Sequence, residues 1–474
     1  MKLTITSEEK YLFDIVRDVA DQLHQEVYVV GGFVRDRIMG HVSKDIDFVT
    51  VGDGTLLAEK ICSALGPEAH GLSIFKNFGT AMFHFRDIEL EFVGARKESY
   101  TQNSRKPEVD PGTLHEDQLR RDFTINALAL SLQGEDPYNV IDPFGGIADI
   151  ENKRIVTPLD PLQTFSDDPL RIMRAIRFAT QFSFTIDPVT FEAISSMRDR
   201  LEIVSMERIT TELNRIILSP VPSIGFRLME RTGLLVRIFP EMQALKGVDQ
   251  IEGYGHKDNF YHTLQVLDNI SKVTGDLWLR WAAILHDIAK PLTKKFEEGH
   301  GWTFHGHEGM GAGMVPRIFR RMKLPMDEKM KYVQRLVRLH LRPIALVQEE
   351  ITDAAVRRLL FEAGDDLEDL MILCKADITS KNPDRVARYL GNYEVVMDRL
   401  RDVEERDHLR NWQPPIDGQV IMDTFGIRPG REVGVIKEAI REAILEGELS
   451  NDYEEAYSFM LAEGKRLGLI PVQS

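Results

Sequence analysis

Asp45 and Asp47 stand two residues apart in the run KDIDFV. Side chains alternate between faces along a strand, so both carboxylates project from one face. Two carboxylates a few ångströms apart raise each other's proton affinity unless a cation lies between them. Hard Mg²⁺ takes one or two carboxylates together with substrate phosphates. A pair of such ions can activate an attacking hydroxyl and neutralise a leaving pyrophosphate. Just upstream, Gly31 and Gly32 in VVGGFVRDRIMG permit close backbone approach to a phosphate, and Arg35 or Lys44 could hold its charge. Taken alone, Asp-x-Asp is a common feature of surface strands, and a glycine pair is commonly just a turn. The ordered combination is what points to phosphoryl chemistry.

The run RRDFTINALAL sets Arg120 and Arg121 beside Asp122, with Asn126 shortly after. These residues offer phosphate donors and a ribose-hydroxyl acceptor, or else simply a helix start with an ordinary salt bridge. Further on, DDPLRIMRAIRFATQF carries Asp168 and Arg171 at i and i+3, which share one face of a helix. An aspartate accepts from an exocyclic amine and an arginine donates to a ring acceptor. Cytosine (N4 and N3) and adenine (N6 and N1) both present that pair, whereas guanine and uracil put a carbonyl where the amine should be. Each mispaired buried group costs about 1–3 kcal/mol, so two mismatches make a useful filter. Without its context the same spacing is an intrahelical salt bridge.

A second constellation is built from histidine. Thirteen histidines are present, and several gather in one stretch: His262 in NFYHTLQVLDN, His286-Asp287 after LWLRWAAIL, His305 and His307 in FHGHEG, and His340 in RLHLRP. Asp377 follows in CKADITSKNP. Imidazole and carboxylate together suit first-row transition metals. A lone His-Asp pair is also a common capping or packing pair.

The elements that must position these groups can be read from periodicity. Leu12, Ile15, Val16, Val19 and Leu23 repeat at helical spacing, and EVYVV, IDFVTV and TAMFHFRDIELEFVGAR read as strands. Residues 97–119 show no periodicity and read as a mobile loop. IDPFGGIADI marks a turn, and beyond Pro158 the pattern is helical almost throughout. Pro169 sits in the first turn of one strong amphipathic helix, with Ser166 or Asp167 able to cap it.

A chain of 474 residues should form about three to five units. Its 43% hydrophobic and 28% charged residues are ordinary for a soluble globular protein. Cys62 and Cys374 belong to no CxxC pattern, which argues against a disulfide framework or thiolate zinc and fits a reducing cytosol. The first residues lack the basic and apolar regions of a signal peptide, and no apolar run is long enough to span a bilayer, so no membrane is expected. A net charge of −16 weighs against nucleic acid as a default partner. Any polyanion must be met by local runs such as RIFRRMK (317–323) and RLVRLHLR (335–342), each of which is otherwise a solvated helix face.

In order, GGFVRD…DID, RRDFTINA, DPFGG, DDPLRIMRAIRFA and ERITTELNRII resemble the five motifs of class II tRNA nucleotidyltransferases and bacterial poly(A) polymerases, over residues 25–240. The resemblance implies an α+β nucleotidyltransferase palm, a mixed sheet with helices, followed by an all-α neck, body, HD domain and tail. The corresponding segments are 1–157, 158–250, 251–405 and 406–474. It implies that Asp45 and Asp47 bind metal, that Glu91 joins them (or is merely an exposed strand residue), and that Arg174 and Arg177 meet the triphosphate. Asp167 departs from the glutamate usual in the family at that point, while Asp168, the base-reading position, is retained.

His262, His286, Asp287 and Asp377 similarly resemble the ligand set of the HD superfamily of phosphohydrolases. Ni²⁺, Mn²⁺ or Co²⁺ would suit that site, with His307 and His340 able to complete a second one. The implied function is template-independent addition of C and A, from CTP and ATP, to the 3′ end of tRNA in the cytoplasm, with Mg²⁺ in the palm and the tail on the tRNA. Poly(A) polymerase and partial CC- or A-adding enzymes are alternatives within the class. From another class comes an HD phosphohydrolase with a degenerate RNA-binding palm.

Overall fold

The structure is a computed structural model that describes all residues except 76–78, 100–107, 248–249, 252–253, 256–257, 349–351, 380–382, 408–411 and 473–474. The chain divides into two compact units, Met1–Phe239 and Pro240–Ser474.

The first unit opens with α1 (Ser7–Gln22), started by a capping box between Thr6 and Glu9 and buried along Leu12, Phe13, Val16 and Val19. There follow β1 (Glu26–Val30), α2 (Gly32–Ile38), β2 (Asp45–Val51) and α3 (Gly54–Leu65). The sheet continues with β3 (Ala69–Phe75), β4 (Thr80–Phe85) and β5 (Ile88–Gly94). A separate ladder pairs β6 (Arg96–Ser99) with β7 (Glu108–Pro111), and then come α4 (Leu114–Leu119), β8 (Ala129–Ser131) and β9 (Val140–Ile141).

The main sheet has seven strands in the order β3-β4-β5-β2-β1-β8-β9. Only β2 and β5 run parallel; the other neighbours are antiparallel. It is therefore mixed, as expected. Strand alternation sends Ile46 and Phe48 into the core, where Phe48 stacks on Phe92 at 4.6 Å, while Asp45 and Asp47 take the other face. Register then sets Glu89 beside Asp45 and Glu91 beside Asp47 on the adjacent strand.

Residues 97–119 are not an unstructured loop throughout. They hold the inner part of the β6–β7 ladder and α4, which Thr113 and Glu116 start with a capping box. Ladder pairing joins residues about ten apart, so no local periodicity betrays it. The tip, 100–107, lies outside the described residues.

The helical part of this unit contains α5 (Gly146–Glu151), α6 (Pro161–Asp167), α7 (Leu170–Phe182), α8 (Pro188–Met197), α9 (Met206–Ile217), α10 (Ser223–Arg231) and α11 (Leu235–Ile238). In the turn before α5, both Asp142 carboxylate oxygens accept from the backbone, from Gly146 at 2.7 Å and Ile147 at 2.9 Å. Helix α7 packs against α9 and α10. Ser166 and Asp167 do not cap it, because they complete α6, a helix started by Pro161 and capped by Asp160. Asp168 takes the boundary instead and accepts from the Leu170 amide at 3.1 Å.

The second unit is mainly helical, with two short ladders (250–251 with 254–255, and 295–297 with 301–303) inside the region expected to be all-α. It begins with α12 (Pro240–Ala244), α13 (Asn259–Ser271), α14 (Leu277–Leu285), α15 (Lys290–Thr293) and α16 (His307–Arg321). It continues with α17 (Glu328–Leu339), α18 (Arg342–Gln348), α19 (Asp353–Ala363), α20 (Leu367–Asp377) and α21 (Pro383–Asp407). The tail is α22 (Gly418–Phe425), α23 (Arg431–Glu446) and α24 (Tyr453–Arg466). Helix α14 is buried from Leu279 to Leu285 and packs on α13, α17 and α20, so three helices surround it. Residues 247–259 and the run 374–383 fall partly outside the described residues. Both cysteines are free. No helix among the described residues is long and apolar enough to cross a membrane.

Candidate active sites

In the first unit a cleft of about 480 Å³ is lined by Gly31, Gly32, Arg35, Asp47, Arg120, Arg121, Asp122, Asn126, Asp168, Arg171, Arg174 and Arg177. Three distant sequence motifs are thus brought to one place. Gly31 has φ +70, and a Cβ there would stand 2.9 Å from the Arg121 guanidinium, so both backbone freedom and space call for glycine.

Burial pushes the Asp47 carboxyl up; Arg121 opposes that, and the neighbouring charges of Asp45 and Glu89 add to it. Glu91 is raised in the same way, by desolvation and then by Asp47 and Glu89. A carboxylate cluster in which Asp47 and Glu91 resist ionisation is one that a cation would relieve, so the residues fit a divalent metal. Asp45 and Glu91 stand beside the cleft on the exposed strand face rather than in its lining. Lys44 is not part of the site. It lies in the bend before β2, is exposed and is paired with Asp87.

The arginines are of two kinds. Arg35 is buried, donates to Asn126 Oδ1 at 2.5 Å and lies over the rings of Phe178 and Phe182. Asn126 in turn donates to Asp122 Oδ1 at 2.9 Å, so its amide is held by the protein on both sides. Arg177 is buried against Glu212 at 2.5 Å, and burial lowers it to about 10 despite that partner. These groups build the wall. Arg174, paired with Asp122 at 2.6 Å, and Arg120 and Arg121 keep part of their side chains in the cleft.

Asp168 and Arg171 both line the cleft, and their side chains take other partners than each other. Arg171 donates to the Arg120 carbonyl at 2.7 Å, and the Asp168 carboxylate stands 3.5 Å from Arg208. Their common direction arises differently from the expectation of a shared helix face. Asp168 is extended, with φ −136, and precedes the helix, since Pro169 ends α6 and starts α7.

Two further residues belong to this site. Arg208, in the ERITTELNRII run, enters it from α9. Asp117 is fully buried beneath it and holds Arg120 at 2.5 Å and Arg121 at 3.0 Å. The i+3 and i+4 spacing was the available signal for Asp117, but nothing local showed that its carboxyl would be buried. Burial raises that carboxyl and the Arg121 and Arg120 guanidiniums lower it by more, so it lies below the usual 3.8. Its stabilisation is therefore complete above the usual carboxylate range and is lost as pH falls through the folded value. Asp117→Asn is expected to cost about 3 kcal/mol at neutral pH, the low end for breaking a buried pair. Denaturant unfolding at falling pH should show wild type and variant converging in acid. A gap that does not narrow there would reject the ion-pair account.

The second unit holds the histidine site. His262 (α13), His286 and Asp287 (after α14), His307 (start of α16), His340 (after α17) and Asp377 (end of α20) converge. His262 Nε2 stands 2.8 Å from Asp377 and 3.5 Å from Asp287; His286 Nε2 is 3.2 Å from the same Asp287 oxygen, Oδ2. The other oxygen, Oδ1, faces His307 at 3.2 Å and His340 at 3.9 Å. Asp287 is thus shared by two groups that could each hold an ion: His262, His286 and Asp287, and Asp287, His307 and His340.

The tautomers are arranged for this. The Nδ1 atoms of His286, His307 and His340 each bond a backbone carbonyl at 2.7 Å, and His262 Nδ1 meets Thr379 Oγ1 at 2.9 Å. The Nε2 atoms are left pointing inward, the orientation that ligating histidines adopt. With no cation among them, burial lowers His286 but the carboxylates of Asp287 and Asp377 raise it by more, to about 10. His286 Nε2 is buried and, among the described residues, has no partner in hydrogen-bond geometry despite the nearby Asp287 oxygen, and His307 and His340 face each other Nε2 to Nε2 at 3.3 Å. Burial pushes His340 down to about 4, which keeps it neutral. Lys290, one turn beyond Asp287 and 2.6 Å from its Oδ2, is a further member that residue types alone did not suggest as a ligand-site group.

Three family descriptions match the chain: "Poly A polymerase head domain" over 27–156, "Probable RNA and SrmB-binding site of polymerase A" over 183–246, and "HD domain" over 259–382. An A-adding tRNA nucleotidyltransferase of Deinococcus radiodurans is 31% identical, with 91% of this chain and 94% of that one covered. A multifunctional CCA protein of Nitrosococcus oceani is 32% identical over 75% of this chain and 85% of its own. Among solved structures, the Bacillus stearothermophilus CCA-adding enzyme in complex with CTP shares the fold, at 21% identity and a TM-score of 0.67 over 98% of this chain and 99% of that one. With its transferase cleft assembled from the ordered motifs and an HD domain following in the same chain, this protein belongs to the tRNA nucleotidyltransferase and poly(A) polymerase family and is a nucleotidyltransferase.

Proposed function

We propose that this enzyme completes the 3′ end of tRNA without a template, adding C, C and A from CTP and ATP. One observation carries the reading: Asp168 and Arg171 line the same cleft as Asp47, and their side chains are engaged with other partners rather than with each other. A carboxylate acceptor and a guanidinium donor are then both available to one base edge. Cytosine and adenine satisfy them, whereas guanine and uracil leave each group facing its own kind. The bonds of these side chains to Arg208 and to the Arg120 carbonyl would be exchanged for bonds to the base.

Arg120, Arg121 and Arg174 would hold the polyphosphate, while Arg35 and Arg177 keep the wall rigid behind it. Asp45, Asp47 and Glu91 would hold Mg²⁺, which supplies activation of the attacking hydroxyl and neutralisation of the leaving pyrophosphate when bound. In this reading 1–157 is the palm, 158–250 the neck and body, 251–405 the HD domain and 406–474 a tRNA-binding tail. A cytoplasmic location is in keeping with the two free cysteines.

Relatives of nearly equal identity are named for A addition and for the whole CCA sequence, so identity alone does not choose between them. Incubation with tRNA ending before the first C, after CC, or after the full CCA tests the reading, with CTP and ATP supplied singly and together. Completion of CCA and then arrest is expected. Addition of C only, A only, or a long A tail would replace this reading by the partial enzymes or by poly(A) polymerase.

Reversing the selecting pair, Asp168→Arg with Arg171→Asp, is expected to lower incorporation of both C and A by roughly a hundredfold, the value of two mismatched bonds. Normal CTP and ATP use by that variant would end the edge-reading account.

A second activity is favoured by the converging Nε2 atoms around Asp287. We infer a metal-dependent phosphohydrolase there, with Ni²⁺, Mn²⁺ or Co²⁺ suited to the nitrogen and carboxylate donors. Asp287 would bridge two ions, one also held by His262, His286 and Asp377 and the other by His307 and His340. Its substrate class would be phosphoesters, including the 2′,3′-cyclic phosphates of damaged RNA ends.

A further inference from the structure

Beyond the histidine cluster, α17 carries a different chemistry on its outer side. Arg335, Arg338 and Arg342 recur at i, i+3 and i+7 along α17 and the start of α18, and Arg358 from α19 and Arg441 from α23 complete the ring. Together they surround a pocket of about 380 Å³. Against these five arginines the lining offers Glu362 and Glu442, leaving three net positive charges in a chain whose total is −16.

The floor is partly apolar. Phe361 lies under the Arg441 guanidinium at 5.7 Å and is backed edge-on by Trp412 at 5.7 Å. Most of the arginines are held in place: Arg335 by Asp366 at 2.8 Å, Arg358 by Glu442 at 2.6 Å, and Arg441 by Glu442 at 3.2 Å. Arg342 has Glu362 only at 4.0 Å. Among the described residues Arg338 is exposed and has no carboxylate within ion-pair distance.

We propose that this pocket binds one nucleotide unit of an RNA, with Arg338 and Arg342 on its phosphates and its base against Phe361 and Arg441. The volume is in the range of small-ligand sites. Planar guanidiniums match phosphate oxygens two at a time, and unpaired bases stack on aromatic rings and guanidinium planes. An acidic protein segment would also meet the charge but gives no reason for the stacked Phe361 and Arg441. Placement adds to the case. Arg338 and His340 are two residues apart, about 200° around the helix, so the pocket and the histidine site lie on opposite sides of a helix roughly 10 Å thick. The tail wall of the pocket, on α23, falls inside the segment 406–474 proposed to meet tRNA.

This inference rests on the reading that RNA is the substrate, and the test separates the two. The full chain, the single variant Arg338→Gln and the double variant Arg338→Glu/Arg342→Glu are titrated with tRNA lacking its CCA end at several salt concentrations. The double variant is expected to bind at least tenfold more weakly, with the salt slope reduced by about 1–2 and the KM for CTP unchanged. Arg338→Gln, which removes one exposed charge and cannot disturb the core, should reduce the slope by about 1. If wild type binds tRNA and both variants match its affinity and slope, the pocket serves another anion and the proposal is overturned. Should wild type itself fail to bind tRNA, the substrate reading fails first and takes this one with it.

Discussion

Asp47→Asn should lower nucleotide addition at saturating Mg²⁺ by at least about a thousandfold, a loss of roughly 4 kcal/mol of transition-state stabilisation. The variant should nevertheless fold as well as wild type. Asp47 is raised by burial and by the charges of Asp45 and Glu89, so without a cation its ionised form is a liability to the fold. The sign follows from linkage: an acid raised in the folded state binds its proton more tightly there, and stability falls as pH rises through that value. Asparagine removes the titration and keeps the shape, so the metal-free melting temperature should stay level or rise at neutral pH. Adding Mg²⁺ should raise the melting temperature of wild type more than that of the variant. Turnover that survives the substitution would remove Asp47 from the metal site, and a large fall in melting temperature would make it a structural residue instead.

The second large effect concerns Asp287, the residue on which the histidine site turns. Asp287→Asn is expected to abolish metal-stimulated hydrolysis of bis-p-nitrophenyl phosphate and of 2′,3′-cyclic AMP, by a factor of about a thousand or more. Nucleotide addition should be spared, and Asp47→Asn should show the reverse pattern. One shared carboxylate serves both ligand groups, so the variant should also lose bound metal from both, measurable as metal per chain after dialysis. Against this stands a structural role, since Asp287 is buried with Lys290, His286 and His307 upon it. That role alone predicts a lower melting temperature, no metal retained by wild type, and no stimulation of hydrolysis by Mn²⁺, Ni²⁺ or Co²⁺. Wild type that neither binds nor responds to these metals would decide for it.

The pairing of Asp45 with Asp47 was legible because a period of two is a local property of a strand, and β2 keeps it. Lys44 stands in the bend before β2, where the alternation does not reach, and pairs with the exposed Asp87. Asp168 and Arg171 line one cleft, but Pro169 puts them across a helix boundary, where the Asp168 backbone is extended rather than helical. Residue type and spacing alone suit Arg35 and Arg177 to phosphate. The fold spends them on Asn126 and Glu212, partners 91 and 35 residues away in the chain.

Motif order, the amphipathic helices, the alternation of β2 and the types of the candidate ligands were determined by the sequence itself. Each is set by neighbours within one or two turns, where backbone geometry leaves few choices. Tertiary structure alone decided the rest. It buried Asp117 under Arg120 and Arg121, brought Arg208 to Asp168, and turned four histidines with their Nε2 atoms inward around Asp287. It also placed Arg338 and His340 on opposite sides of one helix, giving a single run of basic residues two different environments. These are contacts between segments far apart in the chain. They exist only once helices such as α13, α14, α17 and α20 pack, because burial and charge pairing depend on what the fold brings near, not on what lies beside a residue in sequence.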